Sequence, residues 1–200
     1  MSTKKRILSS ALQLFNASNT QAATTNHIAA ALGISPGNLH YHFKNREAIV
    51  LALYEQMQSK SVLEVSKLPA TIRAVHEHQQ HLVKVYYEYR FFHRELLFLL
   101  SRDALLRERY IADNIAHRGR IYKVLEQLVS NGYLLIPLHN VLEHLSDTIL
   151  MNAQFWQSYL ETLGLPIDKA HIEQGFIHIE AAMRPYLTPK ACAELAEIGA

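Results

Sequence analysis

The chain has 200 residues, of which 49% are apolar and 19% are charged. This length and composition predict one or two globular domains and exclude an intrinsically disordered chain. The net charge of +2 is unevenly distributed, because residues 1–50 hold five lysines and arginines against one acid. That segment therefore carries +4 and the remaining residues −2. A basic N-terminal segment on a mildly acidic remainder indicates a polyanionic partner for the first part of the chain only.

Cysteine content and hydropathy indicate the compartment. Cys192 is the only cysteine, so no intramolecular disulfide can form and a reducing environment is expected. Near the N terminus, Ile7, Ala11 and Phe15 share one helical face while serines interrupt the apolar run. This pattern predicts an amphipathic helix rather than an export signal. No apolar run is long enough to span a bilayer, so we expect a cytoplasmic protein without membrane contact.

Apolar residues recur at three- and four-residue steps along almost the whole chain, which predicts an all-α fold. Ser, Thr, Asp and Asn caps, together with Gly and Pro stops, divide it into eight to ten helices. In chain order, helices are expected at residues 4–17, 24–32, 35–43, from 45, at 71–89, 103–131, 139–163, 168–183 and from 188, with a further apolar stretch that ends near residue 100.

Residues 25–43 carry the pattern of a helix-turn-helix. Ala29 supplies the small side chain that two short crossing helices need, and Gly33 takes the positive φ of the turn at no steric cost. The second helix shows short polar groups and then cations, with no acid before Glu47. The solvated face of an ordinary helical hairpin mixes both signs, so this face predicts DNA binding. The apolar residues spaced to fill the gap between the two helices are Ile28, Leu32, Ile34 and Leu39.

A resemblance to the tetracycline-repressor (TetR) family of bacterial transcriptional regulators lies in the stretch TTNHIAAALGISPGNLHYHFKNREAIV. It covers residues 5–53, and farther along the chain only the length and the helical pattern agree. His40 departs from the family, where an aromatic residue, often tyrosine, is usual. The resemblance implies a three-helix helix-turn-helix domain of residues 1–46 and a C-terminal helical ligand-binding and dimerisation domain of residues 47–200.

The resemblance also implies particular DNA contacts. Thr25 and Arg46 would contact phosphates, and Tyr41 and His42 would contact the sugar-phosphate backbone. The start of the second helix of the helix-turn-helix, at residues 36–40, would face the major groove. These assignments agree with physical chemistry, since hydroxyls and helix N-termini suit phosphate and Asn38 can read adenine with two hydrogen bonds. Phe43 is expected in the core. The predicted DNA-binding residues are Thr25, Ser35, Pro36, Gly37, Asn38, His40, Tyr41, His42, Lys44 and Arg46.

A single recognition helix reads only a few base pairs, so we expect a homodimer on a palindromic operator in double-stranded DNA. The last two long helices carry apolar stripes, and the resemblance places the dimer interface there. The alternative, that both stripes face the core of their own domain, remains open. The predicted interface residues are Leu145, Ile149, Asn152, Trp156, Tyr159, Ile172, Phe176 and Ile179.

The stretch VYYEYRFFHRELLFLL at residues 85–100 interleaves aromatic side chains with charged ones. Aromatic walls with a few convergent polar groups are typical of a small-molecule pocket, although a well-packed core is the simpler reading for most of these side chains. An anionic effector would use Arg90 or Arg94 as its anchor. The predicted ligand-binding residues are Tyr86, Tyr89, Arg90, Phe92 and Trp156.

No other chemistry is indicated. Among twelve histidines only His78 and His81 have a clear chelating spacing, and no cysteine lies near them, so no metal is expected. Phosphate-binding and nucleophile motifs are absent from the sequence, which argues against an enzyme and against a cofactor. The sequence predicts a repressor that an unknown, apolar small-molecule effector releases from its operator. The alternatives are a helical carrier or enzyme with a vestigial helix-turn-helix, and a constitutive DNA binder without a ligand.

Overall fold

The computed structural model describes residues 2–138 and 140–199. Over these ranges it is 79% helical and contains no strands, which confirms the all-α prediction. Residues 1 and 200, the outer bounds of the predicted domains, lie outside the described ranges. Residue 139, the predicted start of one helix, lies outside them too. No helix in the described ranges is long and apolar enough to cross a membrane.

The first four helices begin where the local sequence predicts, and the first two also end there. Side-chain oxygens of Ser2, Thr24, Ser35 and Asn45 each accept a backbone N–H in the first turn of the helix that follows. Gly33 adopts φ 65° and ends the second helix in the left-handed conformation. These helices are α1 (Thr3–Ala17), α2 (Thr25–Leu32), α3 (Pro36–His42) and α4 (Arg46–Ser61).

Seven α-helices follow, and the described ranges therefore contain one helix more than the upper limit expected. The additional helix arises because the apolar stretch after residue 89 forms two short helices, with Tyr89 and Glu95 outside α-helical geometry at their ends. The helices are α5 (Ile72–Glu88), α6 (Arg90–Arg94), α7 (Leu96–Arg102), α8 (Ala104–Ser130), α9 (Asn140–Thr162), α10 (Lys169–Met183) and α11 (Pro189–Ile198), with single 3-10 turns at Val65–Lys67 and Arg184–Tyr186.

The helices form two groups, and both α4 and α6 contact the two groups. In the N-terminal part, α1 packs against α2, α4 and α6, and α2 packs against α3. In the C-terminal part, α9 packs between α8 and α10 and also contacts α6, while α10 lies against α5. Helix α4 contacts both α1 and α5, so it connects the two parts. The predicted domain boundary at residues 46 and 47 stays a prediction.

Candidate nucleic-acid interface and ligand cavity

Helix α3 buries one face and exposes the other. Leu39 is fully buried, and Phe43 directly after the helix is also buried, which confirms its expected place in the core. Tyr41, on the outer side, is 86% exposed. Its ring contacts that of His42 edge-on, with 5.1 Å between centroids. The exposed predicted DNA contacts on and around this helix are Ser35, Pro36, Gly37, Asn38, His40, Tyr41 and Lys44.

Gly37 is a glycine that the fold itself does not require. It lies in the first turn of α3 and is absent from the residues with positive φ. A Cβ atom built at this position would meet only Ser35 Oγ, at 3.9 Å, which is an ordinary van der Waals distance. Glycine in a helix is unfavourable relative to alanine. Its presence on an exposed face therefore fits a surface that something else approaches closely.

The N-terminal ends of α2 and α3 are held by their own caps. Ser35 Oγ accepts the Asn38 N–H at 3.2 Å. Thr24 Oγ1 accepts the His27 N–H at 3.3 Å, and the His27 ring accepts the Thr24 N–H in return. The two bonds form a capping box. Thr25 is the first residue of α2 and is half-buried. Its predicted contact with phosphate stays a prediction.

Cations surround the turn that follows α3. The His40 ring Nδ1 lies 3.1 Å from the Lys44 carbonyl oxygen and ties the exposed end of α3 to this turn. Lys4 Nζ lies 5.5 Å from the centroid of the Phe43 ring. Lys4 was not among the predicted DNA contacts, although the Lys4-Lys5-Arg6 cluster contributed to the basic charge of the segment. The fold brings this cation beside the end of α3.

Arg46 is engaged inside the protein. Its guanidinium donates to the Thr20 carbonyl oxygen at 2.8 Å and to the Glu47 carboxylate at 3.2 Å, and its side chain is only 23% exposed. The guanidinium has five N–H donors, so these two bonds leave others for a phosphate. The predicted contact of Arg46 with phosphate stays a prediction. Its bonds to Thr20 and Glu47 give the same side chain a structural role as well.

A set of hydrogen bonds joins the short helix α6 to the helix-turn-helix. Arg94 Nη2 donates to the carbonyl oxygens of Phe15 at 2.8 Å and Ser18 at 2.6 Å, at the C-terminal end of α1. Glu95 accepts both the N–H and the hydroxyl of Thr20, at 3.0 and 2.6 Å. Arg94 and Glu95 also pair with each other at 2.9 Å, with side chains 14% and 11% exposed. We call Arg94, Glu95 and these partners the α6 clasp.

The α6 clasp corrects the expected role of Arg94. An effector anchor was predicted there, because a charged residue among aromatic ones indicates a polar group in a pocket. The structure instead directs this guanidinium to the end of α1, where it satisfies backbone carbonyls that the helix leaves free. Asn16 adds to the same junction, since its side chain donates to the Glu88 carbonyl oxygen and accepts the Phe91 N–H.

A cavity of about 120 Å³ lies between α5, α8, α9 and α10 and reaches the C-terminal end of α4. We call it the main cavity; a larger and more polar space of about 200 Å³ lies between α5, α10 and α11. Its wall is mostly aliphatic and aromatic, with the polar side chains of Tyr86, His78, Gln79, His117 and Arg120 among them. Representative apolar wall residues are Leu82, Leu125, Leu128, Ile149, Phe176 and Ile179. A mostly apolar cavity with few polar groups is the usual form of a small-molecule site.

The histidines of the main cavity are uncharged at neutral pH. Burial, with the neighbouring Arg120 guanidinium, lowers the pKa of His117 to about 4. Burial also lowers the pKa of His78, with the nearby His81 acting in the same direction. Burial raises the pKa of Tyr86 to about 12. Arg120 is thus the permanent cation among the described residues of the wall.

The structure brings two of the five predicted ligand-binding residues to cavities. Tyr86 lines the main cavity, and Trp156 lines a smaller one of about 10 Å³ that Tyr86 also borders. Tyr89 packs under the Lys60 ammonium instead, and Phe92 stacks on Tyr54 in the core. Arg90 folds back over the ring of Tyr87. None of these three residues borders the main cavity, because consecutive helical residues point in different directions and only every third or fourth can face one cavity. Their contact with a ligand stays a prediction.

Most of the predicted dimer residues face the interior of their own chain. Four of them are buried, and Ile149 and Asn152 border the cavities. Trp156 is half-buried, and its Nε1 donates to the His171 carbonyl oxygen at 2.6 Å. Of the set, Tyr159 alone is exposed. The open alternative, in which the stripes face the domain core, therefore applies to the four buried residues, Leu145, Ile172, Phe176 and Ile179.

Proteins of known family resemble this chain over almost its whole length. A family profile described as bacterial transcriptional repressor, TetR, matches residues 44–195, and one for the N-terminal part of tetR-family bacterial regulatory proteins matches residues 7–53. A TetR-family transcriptional regulator from Marinobacter aquaeolei VT8 has a similar crystal structure. Its TM-score is 0.87 at 28% identity, with 99% of this chain and 97% of that chain covered. The SmeT–triclosan complex shares the fold at 16% identity, with a TM-score of 0.61 over 94% of this chain and 93% of SmeT.

Curated relatives carry the same description. The uncharacterized HTH-type transcriptional regulator YerO of Bacillus subtilis is 27% identical over 73% of this chain, and the chain covers 64% of YerO. The HTH-type transcriptional regulator UidR of Escherichia coli K12 is 33% identical over 30% of this chain and 31% of UidR. The family and the fold are those of transcriptional regulators. With profile matches over both parts and a related structure over nearly its full length, the chain belongs to the TetR family of bacterial transcriptional repressors.

Proposed function

We propose that this chain is a homodimeric repressor that binds a palindromic operator through α3 and leaves it when a small molecule fills the main cavity. The observation that carries the proposal is the exposed, acid-free face of α3 beside a cavity-bearing helical domain. Short polar side chains on such a face suit base edges in the major groove, and the surrounding cations suit phosphates.

A second copy of the chain completes the operator-binding unit. The outer face of α9 exposes Met151, Phe155 and Tyr159, and the exposed Leu163 follows the helix end. These residues recur at four-residue steps and form one apolar stripe on the solvent side. A palindromic site needs two recognition helices about one helical turn apart, which a twofold-symmetric dimer supplies. We therefore place the dimer contact on this stripe instead of on the buried residues of α9 and α10.

Helix α6 supports a route from the cavity to the DNA. His93, on this helix, borders a small polar space next to the main cavity, while the α6 clasp holds the end of α1 through Arg94 and the turn after it through Glu95. A short helix with one side at a cavity and the other on the DNA-binding part transmits a displacement directly. An effector that binds better when α6 is shifted would favour the conformation with lower DNA affinity.

Selection from a random duplex library tests this proposal, using the purified full chain at near-physiological salt. Recovery of a palindrome with half-sites about one helical turn apart would support both the DNA contact and the dimer. A folded sample that enriches no sequence, even with added cell extract to supply a missing co-ligand, would contradict the proposal and favour the carrier.

A further inference from the structure

Beside the main cavity, past Tyr86, lies a smaller polar chamber of about 30 Å³. Tyr86 and His117 border both spaces, so the two adjoin. We call this space the polar chamber. A volume of this size admits one or two groups as large as a water molecule. Its wall includes Tyr86, His93, Tyr110, Asn114, His117 and Gln154.

Two side chains of the polar chamber have unused hydrogen-bonding capacity. His93 is 4% exposed, and within the described residues neither ring nitrogen has a hydrogen-bond partner of good geometry, although the Gln154 backbone lies close enough to oppose the effect of burial on the His93 pKa. Tyr110 is 8% exposed, and its hydroxyl is likewise unpaired among these residues. Buried polar groups are nearly always paired in folded proteins. Unpaired donors and acceptors that converge on a space next to an apolar cavity therefore indicate a guest that brings polar atoms of its own.

The wall of the polar chamber disfavours an anion. Burial lowers the pKa of His93 to about 4 and raises the pKa of Tyr110 above its usual value, so both side chains are neutral at pH 7. Asp113 borders the chamber, and its carboxylate accepts from Tyr54 Oη at 2.9 Å and Arg109 Nε at 3.1 Å. The Arg109 guanidinium compensates this negative charge, so the chamber offers no free charge to an anion or to a cation.

We propose that the polar chamber binds the uncharged, hydrogen-bonding end of an amphipathic effector, such as a hydroxyl or carbonyl group, while its apolar body occupies the main cavity. His93 and Tyr110 supply the hydrogen bonds to this end, and Leu82, Leu125 and Phe176 enclose the body. The inference rests on the proposed function, because it names the class of molecule that the effector site accepts.

Three probes of equal chain length separate the head groups: 1-octanol, octanoate and octylamine. Binding to the full chain at pH 7.5 is measured by calorimetry and by the shift in melting temperature. We expect octanol to bind at least tenfold more tightly than either charged probe. Tighter binding of octanoate, abolished by Arg120→Ala, would overturn the proposal in favour of an anion site in the main cavity. Failure of all three probes to bind would overturn it as well.

The variant Tyr110→Phe removes only the unpaired hydroxyl, and Tyr122→Phe on the same helix is its matched control. We expect Tyr110→Phe to bind octanol about fivefold to tenfold more weakly and to melt at a higher temperature without ligand. If the Tyr110 hydroxyl instead made a hydrogen bond that stabilises the fold, its removal would lower the melting temperature. That result would overturn the proposal. The control is expected to leave octanol affinity unchanged.

Operator binding, followed by fluorescence anisotropy, separates this inference from the proposed function. Release of operator by octanoate and not by octanol would retain the repressor and reject the uncharged head group. Failure of the unmodified chain to bind any selected duplex would reject the proposed function, whatever the probes do.

Discussion

Replacing Gly37 by alanine is expected to change stability and DNA affinity in opposite directions. The new methyl group meets only Ser35 Oγ at 3.9 Å, so the folded chain accommodates it without strain. Alanine is favoured over glycine in a helix by about 0.5–1 kcal/mol. For a chain of this size that corresponds to a rise of roughly 1–4 °C in melting temperature. If the backbone of α3 lies against the DNA, the same methyl group occupies space that the duplex needs, and operator affinity falls at least about tenfold, or 1.4 kcal/mol.

Gly119→Ala provides the matched control. Gly119 lies within α8, and a Cβ atom there would have no neighbour within 4 Å. This variant should gain stability by a similar amount and bind operator as the unmodified chain does. Anisotropy with the selected duplex and thermal unfolding measure the two effects. Unchanged operator affinity in Gly37→Ala would refute the reasoning, since it would mean that α3 does not approach the DNA at this position.

Three further predictions follow from the site. Asn38→Ala should lose about 1–3 kcal/mol of preference for operator over random duplex. Lys44→Ala should weaken binding to both duplexes alike and reduce the dependence of log affinity on log salt concentration by about one. Equal losses on both duplexes for Asn38→Ala would contradict its role in reading bases. Arg94→Met breaks the α6 clasp and should destabilise the fold by about 1.5–3 kcal/mol. It should also weaken effector-induced release of operator while effector still binds, and unchanged release would exclude the α6 route. The buried His93 and His117 have pKa values lowered to about 4, so the unfolded chain binds more protons below pH 6.5. Stability should therefore fall between pH 6.5 and pH 4 by up to about 3 kcal/mol for each; urea unfolding that is independent of pH in this window would show that these rings are solvated.

The helix-turn-helix was predictable because its signals are local. Ser35 followed by Pro36 starts a helix through interactions within one turn, and Gly33 ends the preceding helix through its own φ of 65°. Asp103 likewise caps α8 by accepting the N–H groups of Leu105 and Leu106. Such effects depend on residues within about four positions, so the printed sequence contains all the information they need.

The ligand and dimer residues depend on which elements meet, and periodicity alone does not contain that information. The stripe of Ile172, Phe176 and Ile179 shows that α10 has an apolar face, but the same pattern serves a core, a cavity wall or a subunit contact. Packing of α10 against α5 and α9 turned this face inward and left the outer side of α9 apolar and exposed.

The sequence by itself determined the helical class, the capped helix ends and the exposed polar face of α3, because these follow from spacing and local capping. The tertiary structure decided that Arg94 holds the end of α1 while His93, one residue earlier, reaches the polar chamber. Adjacent residues of a helix point about 100° apart, so their partners are chosen by helices distant in sequence. The assignment of anchor, clasp and cavity wall therefore required the packed chain.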